Sequence, residues 1–280
     1  VLDAAKFFYQ WRVRRDHRDR ICVVSHRGQE MFHVAVMGFC NSVPYVQRQM
    51  DLLLKEFADF CRAYLDDIVV ASDAFHLHIE HLSLVLGVLE KHSVSLEPKK
   101  AYIAFPEVSL LGQRVDALGM TTPEDKIKAI AGLEFPRTLR QLETYLGMTG
   151  ALRQYVPFYA KKSEPLQIRK TELLRGSPVK GRPRREWSTR TRYAHPTERE
   201  LASFDAIQAV FQDPRWLAHW DRTRRLYFDI DASQEGGHGA MVFHVKRDYT
   251  HTNLKMTPPS TAVEPIMFMS RLLTPAEKQY

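Results

Sequence analysis

Ala63-Tyr64-Leu65-Asp66-Asp67-Ile68-Val69-Val70-Ala71-Ser72 is the stretch from which the rest of the chain is read. Two adjacent aspartates sit between apolar, partly β-branched flanks, which reads as a strand, a tight turn and a second strand with the acids at the tip. Adjacent carboxylates repel, and a low-dielectric setting disfavours both ionised forms, so the pair calls for a cation. A hard divalent ion with oxygen ligands suits them. The competing reading is a solvated Asp-Asp turn, since Asp is common in hairpin turns. The tyrosine two positions earlier and the apolar strand on each side weigh against it.

Tyr64-Leu65-Asp66-Asp67 resembles the Tyr-x-Asp-Asp box of reverse transcriptases. The order of motifs around it is similar to that in the polymerase of Ty3/gypsy-type retrotransposons. Upstream, Leu2-Asp3 is followed five positions after the acid by Phe8. The resemblance implies that Asp3 is a further metal-binding carboxylate and that Phe8 is a wall beneath the sugar of the incoming nucleotide, where a rigid ring would clash with a 2′-hydroxyl. Phe7 stands where the family usually has Gly. Met37 to Gln49 resembles the family segment that lies against template and nucleotide: Gly38, Asn41 and Gln47 match, whereas Val43 holds the usual proline position and Pro44 follows it. Gly38 would let backbone approach the nucleotide. Lys100, after Glu97-Pro98, matches a family lysine that could neutralise or protonate the leaving pyrophosphate; an exposed basic turn is the equal alternative. Leu111-Gly112 resembles the box of a hairpin that holds the primer end, and Asn41 and Tyr64 are implied template or primer contacts.

The implied chemistry is two-metal nucleotidyl transfer, with Mg²⁺ (or Mn²⁺) ions ~3.5–4 Å apart held by Asp3 and Asp66. Successive strand residues point opposite ways, so Asp66 is taken as the principal ligand and Asp67 as a nearby helper.

Bulk properties agree with a nucleic-acid partner. The 280 residues carry a net charge of +7, and 44% are hydrophobic. No apolar run approaches the ~20 residues of a membrane span. Nine Lys or Arg lie between Arg169 and Arg192 against two acids, Glu172 and Glu186. Clustered cations of this kind release counter-ions from phosphate. Cys22, Cys40 and Cys61 have no pairing or CxxC spacing, so neither a disulfide framework nor a zinc site is expected. The chain starts at Val1 inside a motif and is read as a fragment.

Along the chain, residues 19–36 alternate as a hairpin turning at His26-Arg27-Gly28, and Tyr45–Phe57 reads as a helix. Ala74 to His92 reads as an amphipathic helix with Ile79, Leu82, Leu86 and Leu89 inward. His76, His78 and His81 read as solvated helix residues, because no third ligand follows. Thr122-Pro123-Glu124-Asp125 supplies an N-cap with proline at the first helical position, and Thr138-Leu139-Arg140-Gln141 a capping box. Glu143 to Tyr159 is similar to the family's thumb. Residues 175–200 read as a basic linker or poorly ordered insertion. Phe204, Ile207, Val210 and Phe211 mark a helix. A strand then runs to Asp231-Ala232-Ser233, which resembles the first strand of a ribonuclease H domain with Asp231 as its first metal ligand. Gly236-Gly237-His238-Gly239 reads as a hairpin turn, Ala240–Val245 and Ile266–Ser270 as strands, and Thr274 to Glu277 as another cap. The family's catalytic Glu lies further along.

The expected fold is α+β: a reverse-transcriptase palm, an antiparallel sheet with helices, and a helical thumb, followed by a partial ribonuclease H-like α/β domain. The expected divisions are 1–115 palm with partial fingers, 116–175 thumb, 176–200 basic linker and 201–280 truncated ribonuclease H-like domain. Expected partners are RNA and DNA template-primer, dNTPs, and the protease and integrase segments of a Pol polyprotein, with no membrane. The resemblance implies a cytoplasmic virus-like particle with a nuclear step, and no residue signal separates this from mitochondria. The alternatives are a non-catalytic nucleic-acid-binding relic and, last, a nuclease alone.

Overall fold

The computed structural model describes residues 1–213, 216–233, 237–249, 256, 258–274 and 276–277. The chain divides into two compact units, Val1–Val108 and Ser109–Tyr280.

In the first unit a three-stranded antiparallel sheet has the order β1 (Leu2–Asp3), β5 (Asp67–Val70), β4 (Cys61–Tyr64). Alternation sends Leu2, Cys61, Ile68 and Val70 to a buried face. That face packs with Val46 and Met50 of α1 (Ser42–Leu53) and with Leu82, Val85 and Leu89 of α2 (Phe75–Lys91). The buried stripe of α2 therefore differs from the expected one. Leu82 and Leu89 are inward, but Val85 replaces Leu86, and Ile79 and Leu86 are exposed. α1 begins earlier than expected, at Ser42, and gives way to a 3-10 turn over Lys55–Phe57. Pro44 is tolerated because first-turn N–H groups have no helical acceptor anyway. β2 (Cys22–Ser25) and β3 (Gly28–Met31) form the expected hairpin around His26-Arg27. His78 and His81 are not simply solvated: both Nδ1 atoms meet Ser72 Oγ, at 3.2 and 2.8 Å, and His81 stacks on Phe60.

The second unit begins within β6 (Glu107–Leu110), the first strand of a sheet ordered β6, β7 (Gln113–Asp116), β8 (Gly119–Thr121), β9 (Leu217–Ala218). It also holds helices α3 (Glu124–Ala131), α4 (Leu139–Ala151), α5 (Tyr159–Leu173), α6 (Gly181–Arg190) and α7 (Glu198–Gln212), and an antiparallel sheet of β10 (Tyr227–Ser233), β11 (Gly237–Val245) and β12 (Val263–Arg271). Its core gathers Leu142, Tyr145, Leu166, Phe204, Ile207, Leu217 and Phe268.

Local expectations are adjusted in several places. Pro123 is itself the N-cap of α3, and the buried Thr122 hydroxyl caps nothing. Thr138 does accept from Gln141 N–H, but the Gln141 side chain accepts from Arg137 N–H rather than closing the box. A complete capping box stands instead at Thr197 and Glu200. The expected linker contains α6, held by side chains that reach outside it: Arg184 and Ser188 bond Glu143, and Trp187 Nε1–H donates to Leu173 C=O. Gly237 to Gly239 belong to a strand, not a turn; Gly236 lies outside the described residues. Thr274 and Glu277 bond each other reciprocally. The three cysteines are free.

Candidate active site

Asp3 of β1 is the register partner of Asp67 of β5, and Asp67 is in turn the partner of Tyr64 of β4. Directly opposed residues of antiparallel strands present their side chains to the same face. Tyr64, Asp67 and Asp3 therefore form a row across the sheet, on the face opposite the apolar core. The turn itself is Leu65-Asp66, with Leu65 in the left-handed region at φ 55°. This refines the sequence reading: the residue facing Asp3 is Asp67, whereas Asp66 sits exposed in the turn and its carbonyl accepts from Ala4 N–H at 2.8 Å.

Electrostatics mark the row as short of positive charge. Burial, then the charges of Asp66 and Asp3, push the Asp67 carboxyl above its ordinary range, and Lys100 opposes them. Lys100 Nζ lies 3.2 Å from Oδ2 and 3.4 Å from Oδ1 of Asp3. Among the described residues no group of three His, Cys, Asp or Glu side chains is arranged as a metal cage. Mg²⁺ does not need one, because it commonly takes one or two carboxylates and completes its shell with water and substrate phosphates. Two opposed carboxylates with a third beside them fit such an ion.

Gln47, expected against the nucleotide, is engaged with the turn that carries the acids. Its Nε2–H group donates to Ala63 C=O and to Asp51, both at 2.9 Å, and its Oε1 accepts from Leu65 N–H at 2.8 Å. The amide thus braces the turn. Phe8 is half-buried in a 3-10 turn over Phe7–Gln10, edge-on to the buried Phe7, which itself packs against Trp11. Gly38, at φ 90°, has open space where a Cβ would stand. Asn41 lies in the wall of a cavity of about 460 Å³ shared with Arg14, His17, Arg20 and Arg48, a basic lining that motif reading missed.

The remaining expected site residues lie in the second unit. Leu111 and Gly112, at φ 49° and 72°, form the turn between β6 and β7, where Lys126 Nζ donates to Gly112 C=O. Asp231 pairs with Gly239 in the β10–β11 ladder and lines a cavity of about 100 Å³ with Asp229 and Phe158. A side chain at Gly239 would strike the Phe158 ring, hence the glycine.

Residues 1–128 match the family profile described as reverse transcriptase (RNA-dependent DNA polymerase). This stretch resembles a reverse transcriptase domain. The chain is 28% identical over 236 residues, 83% of its length, to the retrovirus-related Pol polyprotein from transposon opus of Drosophila melanogaster, of which it covers 23%. It is 29% identical over 174 residues to the enzymatic polyprotein of Cauliflower mosaic virus (strain NY8153), matching 61% of this chain and 25% of that one. The chain thus spans about a quarter of the length of these relatives. In three dimensions 99% of it aligns with 33% of the foamy viral protease-reverse transcriptase solved in complex with RNA/DNA hybrid, at a TM-score of 0.74 and 19% identity. That likeness gives the fold: a reverse transcriptase palm and thumb of mixed helix and antiparallel sheet.

Proposed function

We propose that the chain is the palm and thumb of an RNA-directed DNA polymerase from a Ty3/gypsy-type Pol polyprotein, followed by the start of a ribonuclease H-like domain. The observation that carries this reading is the register pairing of Asp3 with Asp67 beside Tyr64. The likeness to the Drosophila transposon polyprotein supports the element class. Residues 1–115, 116–175, 176–200 and 201–280 remain the proposed palm, thumb, basic connection and nuclease-like segments.

Divalent ions, Mg²⁺ with Mn²⁺ as a substitute, would supply charge neutralisation of the polyphosphate and activation of the primer hydroxyl. Asp3, Asp66 and Asp67 would hold them. Gln47 keeps the turn that presents Asp66 and Asp67 in shape, and Phe8 excludes the 2′-hydroxyl. Lys100 meets the negative charge of the departing pyrophosphate. The cavity lined by Arg14, His17, Arg20, Arg48 and Asn41 has the charge to take template phosphates. Leu111, Gly112 and Tyr64 are the proposed primer contacts. Asp231 is the proposed first ligand of a nuclease site. RNA and DNA template-primer, dNTPs and the neighbouring Pol segments are the proposed partners, in a virus-like particle with a nuclear step.

Primer extension on poly(rA)/oligo(dT) with Mg²⁺, by the chain alone and joined to its flanking sequences, is the test. Extension that is lost on Asp66→Asn supports the proposal. Extension retained by that variant refutes the metal assignment, and template binding without extension in either form supports the non-catalytic relic.

A further inference from the structure

Asp3 is largely enclosed, its side chain 15% exposed, whereas Lys100 at 65% approaches from the solvent side and reaches both carboxylate oxygens. The ammonium therefore sits across the lone pairs that a divalent ion bound by Asp3 would need. Lys100 is also kept there by backbone. It ends the short 3-10 turn Pro98–Lys100, and Glu97 N–H, just before that turn, donates to Asp3 C=O at 2.9 Å. With its ammonium in solvent, the pair is worth little, roughly 0–1 kcal/mol. It forms and breaks easily, and the four-carbon stem lets the charge swing without moving the turn.

From this arrangement we infer that Lys100 is a tethered internal counter-ion. It occupies Asp3 while no nucleotide is bound and leaves for the polyphosphate when a divalent ion takes its place. The inference rests on the proposed metal-binding role of Asp3 and goes beyond the lysine's role toward pyrophosphate. Exchange of one cation for another keeps a positive charge beside Asp3 at each stage. It also couples ion binding to nucleotide binding, because the free site resists the ion until a second home for the ammonium arrives. A site with fewer than three preset ligands suits this exchange.

Two measurements on the 280-residue chain test it. Mn²⁺ affinity, read from the free-ion electron paramagnetic resonance signal without nucleotide, is expected to rise about two- to fivefold in Lys100→Gln, the scale of one such ion pair. In Asp3→Asn it is expected to fall. Acetylation of Lys100 by a water-soluble ester, read by mass spectrometry, is expected to quicken when Mn²⁺ saturates the wild type. In Asp3→Asn it is expected to be fast with or without Mn²⁺. Equal Mn²⁺ affinity in wild type and Lys100→Gln, or Lys100 acetylation indifferent to Mn²⁺, overturns the counter-ion role. If Asp3→Asn leaves Mn²⁺ affinity unchanged, the metal reading of the site fails with it.

Discussion

Asp3 and Asp67 are directly opposed in the antiparallel pairing of β1 with β5, so two stretches far apart in the chain deliver carboxylates to one face of one sheet. The other face carries the apolar core, so the acids could not trade places with it by a one-residue slip without burying charge. Function and stability are therefore set against each other at this site.

The raised Asp67 carboxyl gives that conflict a sign. The folded chain holds this proton more tightly than the unfolded chain. The group's contribution to stability is therefore present below the ordinary carboxylate range and is lost as pH rises through the raised value. Asp67→Asn should raise the melting temperature at pH 7 by about 2 °C. Mg²⁺ or Mn²⁺ should stabilise the wild type and leave the variant less affected, both read by differential scanning fluorimetry. A destabilised variant with an undiminished ion response would contradict this.

Gln47→Ala strips the brace from the turn, leaving Leu65 N–H and Ala63 C=O without their side-chain partner. Leu65 stays in a left-handed conformation that leucine disfavours by roughly 1–2 kcal/mol. The expected loss of stability is about 1–3 kcal/mol by denaturant titration. Nucleotide kcat is expected to fall more than KM rises, since the turn presents Asp66 and Asp67. A variant with wild-type stability and kcat would remove the brace from the account.

Phe8→Val should lower discrimination against ribonucleotides by about tenfold, equivalent to ~1.4 kcal/mol. The ratio of kcat/KM for dTTP over UTP measures it. Phe7 beneath remains to hold the 3-10 turn, so the fold should survive. An unchanged ratio counts against the sugar-wall role.

Arg20→Ala and Arg48→Ala should each weaken template-primer binding across all sequences and reduce the slope of log affinity against log salt by about 1. Both side chains line the same cavity as Asn41. Slopes equal to the wild type would place the nucleic acid elsewhere.

The apolar, partly β-branched flanks on either side of the Asp pair made the hairpin and its acids legible, because that pattern is local. Which acid faces Asp3 was not legible. It depends on the turn taking Leu65-Asp66 rather than both acids, and only the pairing of Tyr64 with Asp67 fixes that. Gln47 matched a motif, but its bonds run to a turn many residues later, so no spacing rule revealed its task. The helix α6 hid behind Arg, Pro and Gly because its support is tertiary, through Glu143 and Leu173 C=O. Lys100 was visible as a basic turn; its grip on Asp3 was not. The inward stripe of α2 failed at Ile79 and Leu86, where Val85 and Leu86 are equally apolar and only packing distinguishes them.

Affinity cleavage reads the convergence of the acids most directly. With Fe²⁺ substituted for the bound ion and ascorbate and peroxide added, hydroxyl radicals cut backbone only near the ion. Mass spectrometry should find cuts both beside Asp3 and beside Asp66-Asp67, suppressed together by excess Mg²⁺. Cuts at one of these places without the other would show that the two strands do not share an ion, and the polymerase reading of the site would fall.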